Sequence, residues 1–529
     1  MKAKYISYQD THSFSKLVLD YVNDVEFLKS FYSFRPDMDG LKKAVDARNF
    51  KGNRAELVEV LSQQYQNVKT NKSVKHNISL LADENTFTVT TGHQLNLFTG
   101  PLYFIYKIVT TINLALELKI AYPEKNFVPV YWMATEDHDF EEINHVSVDE
   151  KNISWIQQTN GATGRLSTKT VEAAVMAYKA YLGISKNGKK LAKLVEKAYL
   201  ENDNLANATR VLVNSLFENY GLVIINADDA ILKKQFSHII KQDISEQNSA
   251  DLTEKTSQTL EENGYKTQVN GRDINFFYLI DNLRERIIEK DSLYTVNHSE
   301  ISFTKDELLT EVENHPERFS PNVIMRPLYQ EVILPNIAYI GGGAEVSYWM
   351  QLKANFDFYQ TDFPVLLLRN SALLIDKRSA ENLNKLGFKL EDAFLSTDEL
   401  QKVWIKNNTD SNLSLADEMR AVQASFDQIK LNAFKIDKTL EKAADSAKTK
   451  TNHLLENLEK KLFRAEKRKH EVSLKQIENV KNRLFPSGTL QERVVNLAPM
   501  FVNYGDDFIS SLIENFEPLG GDFTLLLPS

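Results

Sequence analysis

The sequence predicts an α/β protein: a doubly wound parallel-sheet core with helical insertions, followed by a long α-helical coiled coil. Three observations lead there. From residue 86 onward, apolar runs of strand length alternate with helical stretches, the pattern of βαβ units. Two stretches, about 150–215 and 245–320, interrupt that alternation as insertions. From about Leu415 to Leu484, apolar residues recur in three- and four-residue steps with no glycine or proline among them. The expected division is a core over 1–412, a coiled coil over 413–485 and a segment over 486–529 that returns to the core.

Residues 1–80 read as polar helices without a chemical motif. Thr86-Phe-Thr-Val-Thr-Thr91 is a β-branched strand, and the turn-rich Gly92-His-Gln-Leu-Asn-Leu-Phe-Thr-Gly100 follows it. Pro101 opens a helix to about Lys119, at a first-turn position where a missing N–H is harmless. Phe127-Val-Pro-Val-Tyr-Trp-Met-Ala134 is a continuous apolar run suited to the interior of a parallel sheet. The first insertion is mostly helical. Gly221-Leu-Val-Ile-Ile-Asn226 is another buried strand, leading through Ala227-Asp-Asp229 into a helix. The second insertion mixes helix with short strands. Ile337-Ala-Tyr-Ile340 runs into Gly341-Gly-Gly-Ala-Glu345 and a helix to about Phe358, and Phe363-Pro-Val-Leu-Leu-Leu-Arg369 is a further strand.

In the coiled coil, Met419, Val422, Phe426, Ile429, Ala433, Ile436, Leu440, Ala443 and Ala447 keep the alternating step, and the seam resumes at Leu455, Leu458 and Leu462. The break near Ala447–Thr451 reads either as a stutter in one rod or as the bend of a helical hairpin. Self-association through this element is expected, a helix lying on its own domain being the other arrangement. Pro486-Ser-Gly488 ends it, and Phe523-Thr-Leu-Leu-Leu527 reads as a terminal strand.

Composition removes several classes of function. With 63 Lys+Arg against 72 Asp+Glu, the net charge is −9, which argues against nucleic acid or an anionic membrane as partner. The absence of cysteine among 529 residues excludes disulfides, thiolate metal sites and a cysteine nucleophile. The N-terminal stretch has no apolar segment of a secretory signal, and the most apolar helix, 101–118, is interrupted by Lys107, Asn113 and Glu117. A cytoplasmic protein without a membrane span is the expectation.

Chemistry concentrates in Glu136-Asp-His-Asp-Phe-Glu-Glu-Ile-Asn-His145, directly after the strand ending at Ala134. Ligands of open α/β sheets bind beyond the carboxyl ends of strands. Such a cluster can ligate a metal, relay a proton, or bind a substrate ammonium and accept its proton. A helix N-terminus enriched in acids accounts for Glu141 and Glu142 but not for the crowding of Asp137, His138 and Asp139. The loop holding Gly92, His93, Gln94, Thr99 and Gly100 opens a helix and would suit an anion, although it carries neither Walker nor dinucleotide glycine spacing. Lys107 either reaches an anion there or snorkels. Arg326 supplies a fork for a carboxylate or phosphate, and Gln330, Tyr339, Gly341, Gly342, Glu345 and Tyr348 surround the second glycine turn. Ordinary turn chemistry explains those glycines equally, and Arg326, Gln330 and Glu331 also read as a structural polar network.

Taken in order, Thr91-Gly-His-Gln with Thr99-Gly-Pro101, the Glu136–His145 block, Arg326-Pro with Gln330, Tyr339-Ile-Gly-Gly, Glu345 and Tyr348-Trp349 resemble the bacillithiol-biosynthesis cysteine-adding enzyme family. The tail Leu484-Phe-Pro-Ser-Gly-Thr-Leu-Gln-Glu-Arg493 with Tyr504-Gly505 fits the same family. The resemblance implies a Rossmann-type core, two connecting insertions and a coiled coil that makes a homodimer. It implies a ligase for the last step of bacillithiol assembly, joining the carboxyl group of cysteine to the amine of glucosaminyl-malate, with ATP and its magnesium ion as co-substrate. No resident metal is implied. Asp137 and Asp139 would bind the ammonium, and His138 or a neighbouring carboxylate would take its proton. The glycine loops, Glu136, Asn144 and Arg326 would contribute to substrate binding. The chain departs from the family pattern at His93, where Gln is expected, at Asn96 (Gly), Glu331 (Asp) and Gly343 (Pro). Three other readings remain: an adenylate-forming ligase or nucleotidyltransferase for a different acid and amine, a metal-dependent hydrolase built on Glu136–His145, and a dimeric scaffold.

Overall fold

The computed structural model describes residues 1–149, 151–409 and 413–528. Residues 150, 412 and 529, three of the boundaries drawn from sequence, lie outside the described residues. Five strands form the central sheet: β1 (Thr86–His93), β2 (Asn126–Met133), β3 (Val223–Asn226), β4 (Asn336–Gly341) and β5 (Val365–Leu368). They lie in the order β3-β2-β1-β4-β5 and pair in parallel. The chain steps outward from β1 to β3, then returns to the other side of β1 for β4 and β5. The order reverses beside β1, so the carboxyl ends of β1 and β4 flank a topological switch point.

The strand residues are apolar or β-branched on both faces because both faces are covered. Phe87, Val89, Leu114, Leu118, Ile337, Ile340, Val365 and Leu367 share one core cluster with Leu41 and Val45. The buried hydroxyls of Thr88 and Thr90 on β1 donate to Oδ1 of Asn336 on β4 at 3.1 and 2.8 Å, which satisfies polar groups the sheet interior would otherwise strand. Helix α1 (Leu102–Ala121), capped by Pro101, connects β1 to β2. It is apolar on most of its surface because the C-terminal segment covers it. Asn113 on α1 donates to the carbonyls of Ile513 and Phe516 at 2.9 and 2.8 Å. Helix α2 (Met325–Ile333) precedes β4, and helix α3 (Gly343–Gln351) follows it.

The first insertion contains helices Glu172–Leu182, Lys186–Leu200 and Leu205–Phe217. The second folds its strands into an antiparallel sheet in which Leu283–Lys290 pairs with Phe276–Ile280. Residues 1–80 are not all helical. Lys2–Ser7 is a strand paired antiparallel with Asp522–Leu527, register Lys2 to Leu527. Its alternation is too short to be read without its partner at the far end of the chain.

By internal contacts the chain divides into Met1–Leu373 with Leu490–Leu527, and a second unit over Leu374–Thr489. The sequence division at 412/413 and 485/486 therefore moves to 373/374 and 489/490. The second unit owns a small core: Leu474, Ile477, Val480 and Leu484 of helix Glu471–Leu484 are buried, as are Leu383 of helix Lys377–Lys385 and Leu400 of helix Thr397–Asn407. Within the same unit, Ala416–Ile436 and Leu440–Lys469 pack on each other as a hairpin. Lys430 bonds Asp445 at 2.8 Å and Lys448 bonds Asp427 at 2.6 Å across it. The bend falls at Asp437–Thr439, not at Ala447–Thr451. Asp437 is extended (φ −153°, ψ 125°), and its side chain accepts from the amide and hydroxyl of Thr439, a turn that needs neither glycine nor proline.

Candidate active site

Beyond the carboxyl ends of β1, β2 and β4 lies a cleft of about 730 Å³, a size suited to a small-molecule ligand. It forms where sequence reasoning placed it, and β2 leads directly into its acidic wall. Phe140 and Ile143 of the short helix Phe140–Ile143 are buried and pin the segment that follows β2, leaving Asp137, His138 and Asp139 along the cleft. Oδ1 of Asp137 accepts from the amides of His138 (2.8 Å) and Asp139 (3.4 Å), and Oδ2 accepts from Nε2 of Gln94 at 2.7 Å. Gln94 also donates to Glu142 at 3.2 Å. Among the described residues, no lysine or arginine forms an ion pair with Asp137 or Asp139. Glu136 differs: Nζ of buried Lys233 lies 2.5 Å from its Oε1 and 3.4 Å from Asp228, which Arg165 holds in a fork at 2.7 and 2.8 Å. Burial pushes the Glu136 carboxyl up and Lys233 pulls it back. Glu136 lines the cleft as part of a structural ion network.

The ligand atoms of Asp137, His138 and Asp139 lie within 4.8 Å of one another, a spacing that could gather a cation. The polarity around His138 does not suit one. A metal-bound imidazole donates its second N–H to an acceptor, whereas Nδ1 of His138 faces Nη1 of Arg284 at 2.7 Å, and arginine only donates. The three side chains therefore do not fit as one metal set, and no metal step is derived from them.

At the switch point, Gly92, next to last in β1, lies against Tyr339 of β4 and Arg326 of α2. A Cβ on Gly92 would sit 3.3 Å from the Tyr339 hydroxyl and 3.6 Å from Nη1 of Arg326, so glycine permits the close approach. Arg326 donates to Gln330 Oε1 at 3.0 Å and to the Tyr348 hydroxyl at 3.5 Å. Its guanidinium carbon lies 6.0, 5.7 and 5.9 Å from the rings of Trp132, Tyr339 and Trp349. Among the described residues it has no carboxylate partner. Aromatic faces partly compensate this half-buried cation, and the remaining shortfall favours an anionic ligand.

Lys107 neither snorkels nor reaches into the cleft as a free cation. Buried, it bonds both carboxylate oxygens of Glu345 (2.9 and 2.7 Å) and the Gly92 carbonyl. Glu345 also accepts from the Tyr339 hydroxyl at 2.7 Å and the Gly342 amide at 2.8 Å. His93 is enclosed by Phe104 and Tyr103, with ring centroids at 5.0 and 5.3 Å. Burial, aided by the charge of Lys107, pushes its imidazole down to about 3, so it stays neutral.

Of the residues singled out from sequence, Gly92, His93, Gln94, Glu136 to Asp139, Arg326, Tyr339, Glu345 and Tyr348 line the cleft. Thr99, Gly100, Asn144, Gln330, Gly341 and Gly342 lie outside its wall. Thr99 and Gly100 belong to a left-handed turn (φ 73° and 59°) whose Gly100 carbonyl accepts from Asn496 at 2.6 Å. Asn144 bonds the neighbouring His145 at 3.1 Å, and Gln330 bridges Arg326 to Glu331. In the tail motif, Glu492 binds Arg369 at 2.6 Å and the Ala372 amide at 3.0 Å, an anchoring role. Sequence reasoning missed Tyr103, Arg272, Phe277, Arg284 and Arg286 on the cleft wall. The available signal was Leu283-Arg-Glu-Arg286: two arginines at strand spacing share one face.

Comparison with known proteins covers the whole chain. Residues 1–370 match the family model described as "Bacillithiol biosynthesis BshC, N-terminal Rossmann-like domain". Residues 372–527 match "Bacillithiol biosynthesis BshC, C-terminal coiled-coil domain". A relative from Flavobacterium johnsoniae, named "Putative cysteine ligase BshC", is 46% identical over 524 residues, covering 98% of this chain and 99% of its own. Relatives of the same name from Flavobacterium psychrophilum and Christiangramia forsetii are 46% and 42% identical. They cover 98% and 99% of this chain, and 98% and 99% of their own lengths.

Proposed function

The chain belongs to the BshC family of bacillithiol biosynthesis, and from that premise we propose that it joins cysteine, through its carboxyl group, to the amine of glucosaminyl-malate. Membership, and relatives named "Putative cysteine ligase BshC", support a ligase of this pathway. One observation carries the finer reading. A single cleft holds two carboxylates without a cation partner, Asp137 and Asp139, and one partly buried guanidinium without an anion partner, Arg326. A substrate bearing both an ammonium and carboxylates matches that set. The ammonium would sit at Asp137 and Asp139, and a malyl carboxylate at Arg326 among its aromatic rings.

Amide formation from a free carboxylate needs activation, and ATP is the co-substrate class, bringing its magnesium ion with it. An oxygen of the cysteine carboxylate bonds to a phosphorus of ATP as the bond from that phosphorus to the departing ADP or diphosphate oxygen breaks, which leaves the acyl group bound through oxygen to phosphorus. The amine nitrogen then forms a bond to the acyl carbon, and the C–O bond breaks with its electron pair leaving on the phosphate oxygen. The protein's part is to bind the amine, take its proton and hold the acyl oxygen. The neutral His93 and the Lys107–Glu345 pair keep the floor of the cleft rigid. A homodimer, built on the apolar residues that the hairpin leaves exposed, completes the reading: Ile429, Phe434, Leu454 and Leu458 are 44–69% exposed. Reaction in the cytoplasm, where cysteine and ATP are available, fits the absence of any helix among the described residues long and apolar enough to cross a membrane.

The test is a substrate screen with purified protein. Glucosaminyl-malate, cysteine and ATP together should consume ATP and give the amide, detected by mass spectrometry. ATP consumption with a different acid and amine, and none with this pair, would refute the assignment.

A further inference from the structure

The contact between Arg284 and His138 fixes more than position. Nη1 of Arg284 lies 2.7 Å from Nδ1 of His138. A guanidinium has five donors and no acceptor, so Nδ1 must accept and carries no hydrogen, and the ring's hydrogen sits on Nε2. Arg284 cannot easily turn away. Its Nε donates to Ser320 Oγ at 3.0 Å, its Nη2 to the Pro321 carbonyl at 3.4 Å, and it stacks 3.9 Å from the centre of the Phe277 ring. All of this comes from the second insertion and the residues just after it, whereas His138 follows β2.

The carboxylates on either side are not equivalent. Asp137 is occupied by Gln94 and two backbone amides, and its Oδ1 is 3.8 Å from Nδ1 of His138. Among the described residues, Asp139 accepts no hydrogen bond through its side chain, which is half exposed. Its Oδ1 stands 3.8 Å from Nε2 of His138, beyond hydrogen-bond reach. The group with a free lone pair facing the cleft is Asp139. The group with a free N–H is His138.

We propose that Arg284 is a positioning residue that locks His138 as a hydrogen-bond donor through Nε2, so that Asp139, and not His138, receives the proton of the substrate ammonium. This deepens the reading above and rests on it for the identity of the reaction. An ammonium loses two protons on becoming an amide N–H. The first passes to Asp139 before attack. The nitrogen then adds to the acyl carbon, the carbonyl electron pair moves to oxygen, and the Nε2–H of His138 donates to that oxygen. The pair returns as the phosphate-bearing group leaves, and the second proton passes to water.

The lock is measurable without turnover. In full-length protein labelled with 15N-histidine, a long-range 1H–15N correlation at pH 7, with His138 identified by its loss in His138→Gln, should show Nε2 protonated and Nδ1 bare. A hydrogen on Nδ1 of His138 in the wild type would overturn the proposal. Arg284→Gln should admit the Nδ1–H form, and Arg284→Lys, still a pure donor, should restore the Nε2–H form; an unchanged ring in Arg284→Gln would also overturn it. In the ligase assay, Asp139→Asn should lose about 10²- to 10⁴-fold in kcat, the range of general-base catalysis. His138→Gln, which keeps a donor for the acyl oxygen, should lose less in kcat than Asp139→Asn. The opposite ranking contradicts the assignment. An Nε2–H ring in a wild type that makes no amide supports the lock and refutes the substrate reading alone.

Discussion

Nζ of Lys107 lies 2.7 Å from Oε2 of Glu345 and 2.9 Å from Oε1, joining the second turn of α1 to the first turn of α3 beneath the switch point. Because Lys107 also binds the Gly92 carbonyl near the end of β1, one cation ties together three segments at the cleft. Removing one partner of such a pair leaves the other charge uncompensated: Lys107 is buried, and the Glu345 side chain is 27% exposed. Each single change should therefore destabilise the protein in urea unfolding, Glu345→Gln through the buried Lys107 it leaves unpaired, and Lys107→Met with Glu345→Gln should cost less than the sum of the two single changes.

The same pair has a pH signature. Burial raises the Glu345 carboxyl, but Lys107, the Gly342 amide and the Tyr339 hydroxyl outweigh it, and the group sits below its usual value. A carboxyl depressed in the folded state adds stability above its unfolded pKa of about 4.3 and loses it as pH falls through the lower folded value. Wild type should lose stability relative to Glu345→Gln as pH is lowered from 6 to 3.

Glu331 should behave in the opposite sense. Burial pushes its carboxyl up to about 7, although Arg48 stands 3.6 Å away and Asn336 and Gln330 donate to it. The folded state holds its proton between about pH 4.3 and 7 while the unfolded chain has lost it, so stability falls as pH rises through that window. Glu331→Gln keeps an acceptor for both donors. It should gain on wild type between pH 5 and 8, by an amount on the order of 3 kcal/mol, read from unfolding midpoints. A constant difference across that range would contradict the assignment.

Arg326 is expected to act on binding. Arg326→Gln should raise KM for the carboxylate-bearing amine about 10- to 100-fold, as expected for loss of a hydrogen bond to a charged group. KM for cysteine should change little. Arg326→Lys should not restore the wild-type value, since an ammonium lacks the fork and the flat face that three aromatic rings surround.

The proposed dimer rests on the hairpin. Replacing Ile429 and Leu458 with glutamate should convert a dimer into a monomer in sedimentation velocity while helical circular dichroism is kept. A monomeric wild type would refute this part outright.

The central sheet was legible because buried parallel strands announce themselves: Phe127–Ala134 and Gly221–Asn226 are apolar on both faces, and turn residues bound them. The acidic wall was legible because Asp137-His-Asp139 follows such a strand. Lys2–Ser7 was not, since its strand exists only by pairing with Asp522–Leu527. The hairpin bend was hidden because Asp437 and Thr439 make the turn with side-chain hydrogen bonds while the apolar step runs on through Ile436 and Leu440. Lys107 was misjudged for a related reason: its partner Glu345 lies 238 residues away, so a buried pair looked like a free cation. Arg284 reaches His138 across 146 residues, a relation no local pattern encodes.

The most direct test of the central claim is thiol profiling of a host strain from which the gene has been deleted, complemented with wild type or with Asp137→Asn/Asp139→Asn, expression and folding of both being checked. The deletion strain should lack bacillithiol and accumulate glucosaminyl-malate, wild type should restore the thiol, and the double variant should not. Normal bacillithiol in the deletion strain, or full restoration by the double variant, would contradict it.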